Sequence, residues 1–155
     1  MSLGLITNRT QTDVDRVKEL RAKIKAGTAS AADITEYLSA PIGDYCSADV
    51  NRVNGAINTV ATALTAAGYP LNGGLATNWT DDDEFLLAER TAYLGAVAEV
   101  RSALAVYPTT PAVPNAINSY TQANDIEQII EDVYQLYLNM VDAYYYLGDL
   151  YLGEV

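Results

Sequence analysis

Apolar residues recur at helical spacing along most of the chain and do not alternate in the way typical of half-buried strands. Aliphatic side chains three or four residues apart form stripes over residues 13–25, 47–67 and about 125–152. A shorter stripe covers residues 30–39, and a further long one runs over residues 80–104, with acids in its first turn. This pattern predicts an all-α fold, a helical bundle of about five helices with a long C-terminal helix.

All five prolines lie between these stripes rather than inside them. One of the longest gaps covers residues 68–79 and contains a Gly-Gly pair. A chain of 155 residues fits one domain with its own core. We therefore predict a single helical domain over residues 4–155, with two lobes, 4–68 and 79–155, joined by the Gly/Pro loop 68–79 as the alternative.

Composition argues against several classes of function. A net charge of −11 opposes nucleic-acid binding, which depends on Lys and Arg. With no histidine and one cysteine, the chain cannot assemble the common zinc sets, a Ser-His-Asp triad or a disulfide framework. No run of 18 apolar residues occurs, and we expect neither a membrane span nor a secretory signal. We predict no cofactor, no metal and no enzymatic activity.

Two groups of acids are candidates for metal or acid–base chemistry. The run from Asp81 to Glu84 lacks the glycine and the distal glutamate of a calcium loop. Glu127 and Glu131 share a helix face, but no Glu-x-x-His motif accompanies them. We expect both groups on solvated helix surfaces. An enzyme that uses carboxylates alone stays open as a third possibility, and it requires two acids buried in one cleft.

Tyrosine is the unusual residue, with twelve in the chain and seven between Tyr120 and Tyr151. Apolar and tyrosine side chains form two stripes on the last helix, and together they exceed the arc of about 100° that one packed face requires. Two interpretations stay open: a central helix buried on several sides by its own bundle, or a protein interface, where tyrosine is enriched. The interface candidates are Tyr134, Leu138, Tyr145, Tyr146, Tyr151 and Leu152.

Charge is also unevenly distributed. Residues 1–25 hold six basic and three acidic side chains, a net of +3, and no basic residue follows Arg101. The first interpretation is a solvated helix face. The second is docking between subunits, in which the basic start of one protomer packs against the acidic end of another.

Several segments resemble structural proteins of bacteriophages and prophages of Gram-positive bacteria. These segments are residues 7–17 (Thr-Asn-Arg-Thr-Gln-Thr-Asp-Val-Asp-Arg-Val), residues 28–53, residues 118–127 and the tyrosine-rich helix with its ending at residues 147–154. The resemblance implies a tail or other virion component without catalytic residues, assembled in the bacterial cytoplasm. Its partners would be copies of itself or other phage tail proteins.

We therefore expect a non-enzymatic structural component of a phage or prophage particle, in the tail or adsorption apparatus. The alternative is a helical module that binds a small molecule or a glycan. In that case Trp79 and nearby tyrosines would serve as stacking platforms, and the structure should contain a concave aromatic pocket.

Overall fold

A computed structural model describes the backbone of residues 3–152 and the side chains of residues 3–144. Within these residues the chain forms five helices and no strand, so the predicted all-α bundle with a long last helix is confirmed. The helices are α1 (Gln11–Lys25), α2 (Ala31–Leu38), α3 (Ser47–Ala66), α4 (Leu87–Ser102) and α5 (Tyr120–Leu152).

The first three helices begin at capping boxes. The side chains of Thr10 and Ser30 accept hydrogen bonds from the backbone N–H groups of Asp13 and Asp33, and each aspartate in turn accepts from the cap's N–H. At α3 the N–H of Cys46 donates to the Asp49 carboxylate at 3.0 Å. These reciprocal bonds satisfy N–H groups that have no partner inside the helix, which is why the predicted starts of these helices lie within two residues of the observed ones.

The predicted start of α4 at Thr80 is wrong, because the helix begins at Leu87. The Asp83 carboxylate does accept hydrogen bonds from the N–H and hydroxyl of Thr80, as it would at a helix start. The segment nevertheless continues as a turn, and Asp81 bonds instead to the Ser47 hydroxyl at 2.6 Å. Phe85 then packs edge-on against Trp79. The acid-rich run thus forms a capped turn that leads into the helix.

Helix α5 begins five residues before its predicted start. The Ser119 hydroxyl accepts from the Gln122 N–H, and the Gln122 side chain accepts from the Asn118 N–H. This Ser-x-x-Gln pattern is a capping-box sequence. At 33 residues α5 is about 50 Å long, compared with about 30 Å for α3.

Three helices, α3, α4 and α5, enclose the main core. Its fully buried residues include Leu64 of α3, Tyr93 of α4 and Ile130 of α5. This core contains residues from both of the lobes considered as alternatives to a single domain. Helices α1 and α2 pack against each other beside it, with Val17 and Leu20 buried.

The loop that would have joined the lobes is bound along α3 by three asparagines. The Asn51 side chain exchanges two 2.8 Å hydrogen bonds with the backbone of Trp79. Asn54 donates to the carbonyl of Ala76, while Asn58 both donates to and accepts from the backbone of Leu75. Spaced three and four residues apart, these amides lie along one side of the helix. They hold residues 74–79 against α3.

Candidate functional site

The described part of α5 reaches past the residues that pack in the main core. Among the side chains described, up to residue 144, the α5 residues furthest along the helix that pack against that core are Tyr137 and Leu138. Beyond them Met140 is half-buried and Tyr144 is 68% exposed. With the half-buried Leu136 they recur every four residues and therefore lie along one side of the helix. We call Leu136, Met140 and Tyr144 the α5 end surface.

The predicted interface residues fall into three groups. Tyr134 is buried, with 8% exposure, and stacks on Tyr137 at 6.2 Å between ring centroids. Tyr134 thus belongs to the main core, together with residues of α3 and α4. Leu138 is half-buried at the edge of the same core. The remaining predicted side chains lie outside the described residues: Tyr145, Tyr146, Tyr151 and Leu152.

A buried ionic cluster, which we define as Arg9, Asp49, Arg52 and Glu127, lies where the N-terminal segment meets α3 and α5. Arg9 Nη2 donates to Asp49 Oδ1 at 2.7 Å and to Glu127 Oε1 at 2.8 Å. Arg52 Nη2 bonds the same two oxygens at 2.6 and 2.9 Å. Arg9 is 3% exposed and Glu127 is fully buried. Two guanidiniums thus neutralise two carboxylates away from water, where an unpaired charge is very costly.

The cluster also anchors the extended N-terminal segment. The N–H of Ile6 donates to Glu127 Oε2 at 2.5 Å, and the Ile6 carbonyl accepts from Arg9 Nη1 at 2.7 Å. One helical turn earlier on α5, the Asn124 side chain accepts from the Arg9 N–H and donates to the Arg9 carbonyl. Leu5 packs against the main core. Contacts between residues far apart in sequence therefore fix this segment on the bundle.

Burial and ion pairing have opposite effects on the pKa of the Asp49 carboxyl. Burial raises the pKa of the Asp49 carboxyl, but the Cys46 N–H and the guanidiniums of Arg52 and Arg9 outweigh it, so the pKa is lowered overall. Beside the cluster, burial raises the pKa of Tyr45, whose hydroxyl hydrogen-bonds that of Tyr93 at 2.6 Å. At neutral pH Asp49 is therefore ionised, and the Tyr45 hydroxyl is neutral.

The expectation for the acids requires one correction. Glu127 is not on a solvated surface, whereas Glu131, one turn later, is half-buried outside the cluster. Asp49 and Glu127 are two buried acids close together, but each is bound to two guanidiniums, and neither lines the clefts described below. Their arrangement is that of structural ion pairs. Among the side chains described, no cluster of three or more His, Cys, Asp or Glu could hold a metal ion.

Charges near the N-terminus pair within the chain. Arg16 contacts Glu36 and Asp33, and Arg21 contacts Asp44 at 2.8 Å. The five basic residues that form such ion pairs are Arg9, Arg16, Lys18, Arg21 and Lys23. These pairs occupy most of the basic side chains that the docking interpretation assigned to a second subunit.

A cleft of about 230 Å³ lies between the start of α3 and the turn before α4. We call it the Trp79 cleft. Its lining includes the aromatic side chains of Tyr45, Trp79 and Phe85 and the carboxylates of Asp81 and Asp83. Trp79 and Phe85 meet at 83°, with ring centroids 5.4 Å apart. A concave aromatic site is therefore present where the sequence placed Trp79.

No protein-family model, curated protein or solved structure significantly matches this chain. Over the residues that can be described, no helix is both long enough and apolar enough to cross a membrane.

Proposed function

We propose that the chain is a non-enzymatic structural component of a phage or prophage particle, in the tail or adsorption apparatus, and that it assembles through the α5 end surface. The observation that carries this proposal is the 68% exposure of Tyr144 on a helix that continues past its own core. Tyr144 is the exposed member of a row whose other members, Leu136 and Met140, are half-buried, and such partly exposed apolar side chains on one face favour a protein contact over solvation.

A second copy of the chain is the partner that this surface fits best. Residues 135–152 of α5 include only two charged side chains, Asp142 and Asp149. Two such helix ends can pair over a length of about 27 Å with few charges brought together. Because both copies would contribute the same residues, the contact would close as a symmetric pair. Because the contact area is small, two copies should associate weakly in solution. In a particle, many such contacts would act together and strengthen the assembly.

The assignment to a virion is supported by the resemblance of residues 7–17, 28–53 and 118–127 to phage structural proteins. The non-enzymatic assignment is supported by the ionic cluster, whose two buried acids are both bound to Arg9 and Arg52. The same ion pairs are consistent with a structural role, because they connect the N-terminal segment and α3 to α5 and so help to hold α5 rigid.

Sedimentation equilibrium over protein concentrations of about 10 μM to 1 mM tests the proposal. We expect concentration-dependent association of the wild-type chain and its loss in Tyr144→Glu, which places a charge in the contact. Gln135→Glu adds the same charge to an exposed position about 180° around the helix and should associate like wild type. A wild-type chain that stays monomeric throughout, or equal loss in both variants, would contradict self-association.

A second candidate function is the binding of a small molecule or glycan in the Trp79 cleft. The observation that favours it is the right-angle pair of Trp79 and Phe85 lining a concave site with carboxylates at one side. Trp79 is the only tryptophan of the chain, so its fluorescence reports on this site alone. A panel of sugars and small organic molecules that leaves both the fluorescence and the melting temperature unchanged would remove this candidate.

A further inference from the structure

The residues of the Trp79 cleft define its charge character. Two of its lining residues carry carboxylates, and none is Lys, Arg or His. The Arg9 guanidinium lies 5.5 Å from the ring centroid of the lining residue Tyr45, and its charge is paired with Asp49 and Glu127. In a chain of net charge −11, this cleft therefore attracts cations and repels anions.

The carboxylates at the cleft retain capacity to accept hydrogen bonds. Asp81 uses Oδ1 for the Ser47 hydroxyl, and Asp83 uses Oδ2 for the N–H and hydroxyl of Thr80. The second oxygen of each carboxylate forms no side-chain hydrogen bond in the described part of the chain, and both residues are exposed. These hydrogen bonds from Thr80 lower the pKa of Asp83, which is therefore ionised at neutral pH. Hydrogen bonds to Ser47 and Thr80 thus hold the carboxylates of Asp81 and Asp83 in place in the lining of the cleft.

The aromatic side complements this charge. Tyr45, Trp79 and Phe85 line the cleft, and the face of an aromatic ring carries negative electrostatic potential that attracts a cation placed over it. The Tyr45 ring already contacts one cation, the Arg9 guanidinium. Trp79 Nε1–H is buried and has no hydrogen-bond partner among the described residues. An oxygen atom of a bound ligand would supply the acceptor that this donor lacks.

We propose that the Trp79 cleft binds a small organic cation, an alkylated or quaternary ammonium group whose attached chain carries a hydroxyl or carbonyl oxygen. The ammonium would lie between the aromatic rings and the carboxylates of Asp81 and Asp83. This inference rests on the second candidate function and narrows its ligand class. A neutral sugar would use the same aromatic rings and donate hydroxyl hydrogen bonds to the carboxylates, but it would lack the attraction of a cation to the rings and to the negative charge of the cleft.

Choline is a suitable probe, because it combines a trimethylammonium group with a hydroxyl. Its neutral isostere 3,3-dimethyl-1-butanol has the same shape without the charge. Titration of the full chain, followed by Trp79 fluorescence, should give saturable binding of choline and at least about fivefold weaker binding of the isostere. Asp81→Asn should weaken choline binding about threefold to fivefold. Asp82→Asn removes the same charge from a neighbour that does not line the cleft and should bind choline like wild type.

The possible results distinguish two claims: that the Trp79 cleft binds a ligand, and that this ligand is a cation. Equal binding of choline and its isostere, or tighter binding of N-acetylglucosamine, would overturn the cation assignment and retain a ligand-binding module. A response of Trp79 to none of the three compounds would overturn both. Far-UV circular dichroism of Asp81→Asn checks that the start of α3 still folds, since Asp81 also bonds Ser47. If that variant unfolds, choline against its isostere on the wild-type chain still decides the charge requirement.

Discussion

Replacing Glu127 by glutamine tests the ionic cluster most severely. The amide side chain would fill the same space, but the cluster would change from neutral to a net charge of +1. Glu127 accepts from Ile6 N–H at 2.5 Å and from Arg9 and Arg52 at 2.8 and 2.9 Å, and an amide nitrogen at either oxygen position would meet a donor. Breaking one partner of a fully buried ion pair costs about 3–5 kcal/mol. We therefore expect Glu127→Gln to lower the free energy of unfolding by about that amount, a large share of the roughly 5–15 kcal/mol typical of a domain.

Urea unfolding followed by circular dichroism and Trp79 fluorescence measures this loss. Glu131→Gln is the matched control on the same helix, and it should change the free energy of unfolding by at most about 0.5 kcal/mol. Combining Glu127→Gln with Arg9→Met removes one charge of each sign and leaves Asp49 paired with Arg52 at 2.6 Å. The double variant should therefore be more stable than the sum of the single losses by roughly 1–3 kcal/mol. Equal effects at Glu127 and Glu131, or strictly additive losses, would refute the reasoning.

Three further predictions concern local packing and titration. Gly43→Ala should destabilise the fold, because the added Cβ would lie 2.1 Å from the Asp13 carbonyl oxygen. Gly55→Ala has open space around it in the middle of α3 and should stabilise the fold by about 0.5–1 kcal/mol. Thermal melts compare the two variants, and equal effects would argue against the close contact at Gly43. Hydrogen bonds from the N–H and hydroxyl of Ser30 lower the pKa of Asp33 to about 2. The contribution of these bonds to stability should therefore be complete above the ordinary Asp pKa of 3.8 and be lost as the pH falls through about 2. An NMR titration that gives this carboxyl an ordinary pKa would contradict the capping box. Tyr93→Phe should cost about 1–2 kcal/mol in urea unfolding, since it leaves the buried Tyr45 hydroxyl without its partner at 2.6 Å, and an unchanged midpoint would show that this hydroxyl finds another partner.

The helices were predictable where local signals agree. At α1, α2 and α3 an apolar stripe, a capping residue and a following glycine or proline define both ends, and tertiary packing does not change them. At α4 the acidic first turn predicted the start too early. The turn and a true helix start share the same Thr80–Asp83 hydrogen bonds. What distinguishes the turn is tertiary: the Ser47 hydroxyl donates to Asp81, and Phe85 packs on Trp79.

The ionic cluster could not be predicted from local sequence. Arg9 and Glu127 are separated by 118 residues, and both read as ordinary surface charges within their own segments. A local signal did exist for the bound loop: Asn51, Asn54 and Asn58 recur at helical spacing on the side of α3 that meets the loop backbone. Asparagine is a poor interior helix residue, so three of them in one stripe indicate side-chain to backbone bonds. The interface predicted on α5 stays a prediction; of its residues, Tyr134 lies in the core and Leu138 at the edge of the core, and tyrosine content alone could not separate these positions from the exposed Tyr144.

Hydrogen–deuterium exchange at low and high protein concentration tests most directly whether another copy covers the end of α5. We predict that backbone amides in the second half of α5, from about residue 136 onward, exchange more slowly as the concentration rises. Amides near Ile129 and Ile130, already in the core, should not change. Exchange that is independent of concentration along all of α5, or protection confined to α1 and α2, would contradict assembly through this surface.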